Sequence, residues 1–282
     1  MKKTPVASKY LNELVKVNDQ LCYSVLLHEE FEETILKHAE LSSNLFTSSI
    51  FPSNPFSERL YRRGKDLPLF AKKSRITGLR MAVIVGYEHV AAYLDDVQRF
   101  RARIKASPHD TIRADQVEQQ VFSKLEHWLG KPPDKGYFAT LGYCRHMRNS
   151  LAHAYDTASR ELAGFAATHS HELGKFWENG RTDLQGLNFR EATEAELTPD
   201  IAFGFMNLFR ICLRQIDSMF AATLVLDDVL ADTVKEIVER RPDLRWLPAK
   251  TSPKARAVIH ARYGERFPID VIRERIETLP SA

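Results

Sequence analysis

The sequence predicts a mainly α fold. Apolar residues recur at helical spacing over long stretches, few segments alternate as strands do, and helix start and stop signals fall at several boundaries. From Ser8 to about Phe46, the residues Leu11, Leu14, Val15, Leu21, Cys22, Val25, Leu26, Ile35, Leu36 and Ala39 keep this period with charged residues between them. One long helix or two in series follows. Residues 42–76 hold proline and Ser/Asn interruptions and predict only a helical turn or two after Ser57, stopped by Gly64. The run from Thr77 to Ile104 is apolar on nearly every side through Tyr87 and amphipathic beyond, as expected of a helix at the centre of a bundle.

Residues 114–129 predict an amphipathic helix closed by Gly130 and Pro132, and a further helix starts near Tyr137. Residues 160–198 carry several glycines and predict a loop excursion with a short helix near Glu161 and a short hairpin. Thr198-Pro199-Asp200 then supplies an N-cap and a proline at the first helical position. Three short helices, roughly 228–240, 252–263 and 268–278, end the chain. The organisation expected is a bundle domain over 1–227, with irregular inserts at 42–76 and 160–198, and a small helical C-terminal appendage over 228–282.

With 282 residues, 44% of them hydrophobic, the chain is long enough for a sizeable core. No apolar run approaches the roughly 20 residues that span a bilayer, and the N-terminus turns amphipathic, so no membrane association and a cytoplasmic location are expected. Net charge is only +3, yet 59–80 and 240–262 are basic-rich while 191–200 is acidic, a pattern compatible with RNA binding. Cys22, Cys144 and Cys212 are far apart among apolar neighbours, which predicts buried thiols rather than disulfides or zinc ligands. Phosphate-loop, dinucleotide-binding, nucleophile-elbow and H-E-x-x-H signatures are missing. His169 with His171, and His28 with Glu29 and Glu32, lack a third ligand at a convincing spacing and read as solvated or locally hydrogen-bonded groups. Neither metal nor cofactor is expected.

The chemistry concentrates in Tyr143–Asp156, YCRHMRNSLAHAYD. At about 100° per residue, Arg145, Arg148, Asn149, Ala152 and His153 share a polar arc of about 140°, while Cys144, Met147, Leu151, Ala154 and Tyr155 occupy an apolar back. His146 lies toward the edge of the arc. Asn149 and His153 are four apart and can meet. Arg148 and His153 are five apart and diverge by about 140°, so their convergence requires arginine's reach, an opening of the helix, or a second copy of it.

Arg148-Asn149-Ser150-Leu151-Ala152-His153 resembles the R-N-x-x-x-H form of the signature of the HEPN superfamily, all-helical proteins that include metal-independent ribonucleases of toxin and antiviral systems. The resemblance covers roughly residues 8–227. It implies a HEPN-like bundle of four to five core helices. Glu88, a lone carboxylate in the apolar run IVGYEHVAAYL, is expensive to bury unless a cation meets it, and the resemblance implies that it points at the signature arginine and histidine. The function implied is RNA cleavage by 2′-hydroxyl attack, with His153 as acid/base, Arg148 as phosphate clamp, Asn149 orienting the imidazole or substrate, and Glu88 as a supporting partner. It also implies a homodimer with a composite site, and a defence role with an antitoxin or sensor as partner.

Arg145 is added as an RNA-phosphate contact, and Arg62, Arg63, Lys72, Lys73 and Arg75 as a basic rim for RNA backbone, interleaved with Tyr61 and Phe70. An inactive HEPN-like module that binds RNA, a nucleotide or a partner is the alternative. A helical scaffold, with the polar arc as a dimer seam, is a third.

Overall fold

The computed structural model describes residues 3–106, 117–152, 156–180, 182–190, 197–240, 248–264 and 267–278. Among them are eleven α-helices and no strand, so the chain is mainly α. In order they are α1 (Pro5–Leu41), α2 (Thr47–Ile50), α3 (Ser57–Leu60), α4 (Leu67–Ile104), α5 (Val117–Leu129), α6 (Lys135–Ala152), α7 (Asp156–Asn179), α8 (Pro199–Ala222), α9 (Leu226–Arg240), α10 (Pro248–Tyr263) and α11 (Ile269–Glu277). A 3-10 turn, Gly64–Asp66, precedes α4. No helix among the described residues is long and apolar enough to cross a membrane.

The chain forms two compact units, and α1, α4, α6 and α8 each contribute a part to both. The first contains residues 1–13, 88–142 and 208–282. Its core gathers Phe100 and Ile104 of α4 with Val229, Leu230 and Val234 of α9, Ala255, Ile259 and Tyr263 of α10, and Ile272 and Ile276 of α11. These are the i, i+3, i+4 positions of short amphipathic helices, none of which hides its apolar stripe alone. The same unit holds a buried polar knot. Asp217 accepts hydrogen bonds from Thr4 N at 2.7 Å, Thr4 Oγ1 at 2.5 Å and the Tyr93 hydroxyl at 3.1 Å. Burial raises the Asp217 carboxyl above the ordinary carboxylate range, and those donors offset only part of the effect.

The second unit contains residues 14–87 and 143–207. Tyr143 of α6 is buried, edge-on to Phe189 at 5.0 Å and parallel to Phe205 of α8 at 6.2 Å. Gly204 lets the α8 backbone approach the 184–187 turn: a Cβ there would stand 2.5 Å from the Leu184 carbonyl oxygen. Thr198 begins α8 as expected, its Oγ1 accepting from Ile201 N at 3.3 Å.

Three expectations are corrected. The stretch expected as an excursion from residue 160 is the body of α7, through Asn179. Leu162, Ala166, Leu173 and Trp177 supply its buried stripe, while a Cβ at Gly164 or Gly174 would meet nothing, so these glycines lower helix propensity without marking turns. α4 begins at Leu67, ten residues before Thr77, because Pro68 sits in the first turn, where its missing N–H leaves no hydrogen bond unmade. Cys22 is exposed: it shares the outer face of α1 with Val15 and Leu26, whereas Leu14, Val17 and Leu21 turn inward.

Candidate functional site on helix α6

Among the described residues, α6 carries Arg145, Arg148, Asn149 and Ala152 of the expected polar arc and Cys144, Met147 and Leu151 of its apolar back. Cys144, Met147, Ser150 and Leu151 are buried, Arg145, His146, Arg148 and Asn149 are half-buried, and Ala152 is exposed. His153, Ala154 and Tyr155 lie outside the described residues. The helix can hold its polar side to solvent because four apolar or small residues at helical spacing fix the opposite side in the core.

Arg148 Nη1 donates to Asn149 Oδ1 at 3.0 Å. A guanidinium has donors only, so the amide atom facing it is the oxygen, and the amide nitrogen Nδ2 is a further donor. Guanidinium and amide N–H groups are the donor types that a phosphate oxygen accepts from. Arg145 Nη2 lies 3.2 Å from His146 Nε2. By the same logic that nitrogen is the lone-pair acceptor and the proton sits on Nδ1, which lies 3.8 Å from Glu161 Oε2 of α7. The His146 ring also packs on Phe165 at 5.0 Å, and Phe165 on His169 at 4.5 Å. His146 therefore belongs to the α6–α7 seam, and Arg145 is turned toward that seam. Ser150 meets Ser159 at 3.2 Å across the same two helices.

Glu88 is exposed, which removes the costly burial that singled it out. On α4 the buried residues Tyr87, Val90, Leu94 and Val97 form one stripe, and Glu88 falls about 140° from its centre. Within 160–198, where a loop was expected, α7 instead carries His169, packed on Phe165, and also His171, whose Nδ1 meets Arg190 Nη2 at 3.2 Å. His28 Nδ1 bonds the Ser24 carbonyl at 2.7 Å, the local satisfaction expected of it.

Of the expected basic rim, Arg62, Arg63, Lys72 and Lys73 are exposed. Arg75 is half-buried, 3.8 Å from Glu29 and 4.0 Å from Glu32 of α1, so its charge is partly answered within the protein. Sequence reading missed Phe46, Phe56 and Arg59 in this region. The alternation of aromatic and arginine residues in FSERLYRR is the signal that would have found Phe56 and Arg59, whereas Phe46 lies outside that stretch.

No family model, curated protein or solved structure matches this chain.

Proposed function

We propose that the protein is a HEPN-type endoribonuclease that cleaves RNA without a metal. The observation that carries this reading is the Arg148–Asn149 hydrogen bond on the half-buried polar side of α6, within the R-N-x-x-x-H sequence that ends at His153.

In the chemistry proposed, the 2′-oxygen attacks the adjacent phosphorus, its proton leaves to a base, the P–O5′ bond breaks, and O5′ takes up a proton. Products are a 2′,3′-cyclic phosphate and a 5′-hydroxyl. Arg148 clamps two non-bridging oxygens, whose negative charge grows in the phosphorane, and Asn149 holds the guanidinium by its carbonyl while its Nδ2 donates to the same phosphate. His153 exchanges the proton, its ordinary pKa being near neutrality. In the same reading Glu88 is a supporting partner that fixes the arginine or histidine. The five-residue spacing of Arg148 and His153 argues for a composite site built from two copies of the chain. An antitoxin or sensor partner belongs to the same reading, as does a defence role.

The inactive RNA-binding module is the second reading, favoured by a distinct observation: the exposed cations Arg62, Arg63, Lys72 and Lys73 need no cleavage chemistry. The test is cleavage of mixed RNA in excess EDTA by the wild type, Arg148→Ala and His153→Ala. Loss of cleavage in both variants supports the nuclease. RNA binding without cleavage by the wild type supports the module.

A further inference from the structure

The segment joining α1 to α4 contains no long helix, yet it is held firmly. Phe46 and Arg63 form an antiparallel bridge, Thr47 N donates to Arg62 O at 2.8 Å, and Gly64 N donates to Leu45 O at 2.9 Å. Thr47 Oγ1 donates to Ser57 O at 2.7 Å and accepts from Arg62 N at 3.2 Å, tying the two arms together. A Cβ on Gly64 would collide with the Ser42 carbonyl oxygen, so the arms pack at backbone contact. This framework keeps Tyr61 at φ 38, a left-handed conformation that a bulky side chain rarely adopts.

The strain does not serve burial. Tyr61 is 61% exposed, with its ring stacked on Phe46 at 4.4 Å and 10°, and Phe56 nearby in sequence is 66% exposed. Guanidinium groups lie over the neighbouring rings: Arg63 over Phe46 at 5.7 Å, Arg59 over Phe56 at 5.7 Å, and Arg62 over Phe70 at 5.2 Å. None of these three arginines makes an ion pair among the described residues. Between Phe56 and Arg75 the sequence holds seven basic side chains and two acidic ones. A near-parallel ring pair offers a flat face, which fits a planar partner better than it fits lipid chains, and unneutralised guanidiniums beside it fit phosphates.

We propose that residues 42–66 form a platform on which unpaired bases of single-stranded RNA stack, Tyr61 presenting the outer face of the stack and Arg59, Arg62 and Arg63 holding the backbone. The choice of RNA rests on the function proposed above. Base stacking on an exposed aromatic ring tolerates sequence, so the platform gathers unpaired strands of any composition.

The test is fluorescence anisotropy on the full chain in EDTA, in a His153→Ala background, with fluorescein-labelled decauridylate and a ten-base-pair RNA duplex as probes. Decauridylate is expected to bind more tightly than the duplex. Tyr61→Phe keeps that affinity. Tyr61→Asn, whose side chain tolerates the left-handed backbone, raises the Kd about 5- to 100-fold. Arg62→Gln lowers the salt slope by about 0.7 for each phosphate that is no longer neutralised. Tyr61→Asn binding as tightly as the parent overturns the platform, as does preference for duplex, or Tyr61-dependent capture by phosphatidylserine vesicles with no binding of decauridylate. The two proposals fail separately. Tyr61-dependent binding with no cleavage by the wild type leaves the platform and removes the nuclease, and cleavage with Tyr61-independent binding does the reverse.

Discussion

Arg148 and Asn149, adjacent on α6, are joined by a 3.0 Å hydrogen bond from guanidinium Nη1 to amide Oδ1. The bond restrains one end of a flexible side chain, the one that clamps the phosphate in the function proposed above. Removing the acceptor in Asn149→Ala is expected to lower kcat for RNA cleavage about tenfold, in line with about 1.5 kcal/mol for a hydrogen bond to a charged group. Arg148→Ala, which removes the clamp itself, is expected to lower kcat about 100-fold or more. Single-turnover cleavage of a short labelled RNA separates the two.

The buried Thr4–Asp217 pair sets a stability expectation. Thr4→Val removes the Oγ1 donor from the carboxylate and is expected to lower unfolding free energy by about 1.5–3 kcal/mol in urea titrations. Because burial raises the Asp217 carboxyl in the folded chain, the folded state holds this proton at a pH where the unfolded chain has released it. Stability referred to Asp217→Asn should therefore fall as pH rises from the ordinary carboxylate value through the raised one. Parallel pH profiles for the two proteins would contradict this.

Glu236 carries the opposite sign. Arg262 donates to its two oxygens at 2.7 and 3.1 Å, and these bonds lower the Glu236 carboxyl below its ordinary value against the smaller effect of burial. The stabilisation is full above the ordinary glutamate value and is lost as pH falls through the lowered one. Both side chains are partly exposed, so solvent screening holds the expected contribution to about 1 kcal/mol. Melting curves of wild type and Glu236→Gln between neutral and acid pH should converge at the acid end.

Gly204→Ala places a methyl group 2.5 Å from the Leu184 carbonyl oxygen, a backbone atom with no flexible side chain to yield. The expected loss is about 1–3 kcal/mol, read from the urea midpoint. Gly164→Ala, in open space on α7, is expected to stabilise by about 0.5–1 kcal/mol through helix propensity.

The helices that were legible in the sequence are those whose apolar period is uninterrupted or whose ends carry a specific signal, as Thr198-Pro199 does for α8. α7 was not legible, because Gly164 and Gly174 read as breakers until their positions on its outer face are known. The same lack of facing information misplaced Glu88 and Cys22: period alone says that a helix has an inside, and only the buried stripe says which residues look out. On α6 the stripe was unambiguous, so the arc of Arg145, Arg148 and Asn149 could be read directly from spacing. The Arg148–Asn149 bond could not, since adjacent helical residues diverge and their contact depends on the arginine's reach. Likewise, the Phe46–Tyr61 stack joins residues fifteen apart through a bridge that no local pattern announces.

The most direct measurement of the central proposal is the end chemistry of RNA incubated with purified wild type, Arg148→Ala and His153→Ala in excess EDTA. The expected result is cleavage by the wild type alone, leaving 2′,3′-cyclic phosphate and 5′-hydroxyl ends. Cleavage that persists in both variants, or that stops when the chelator is added, would contradict it.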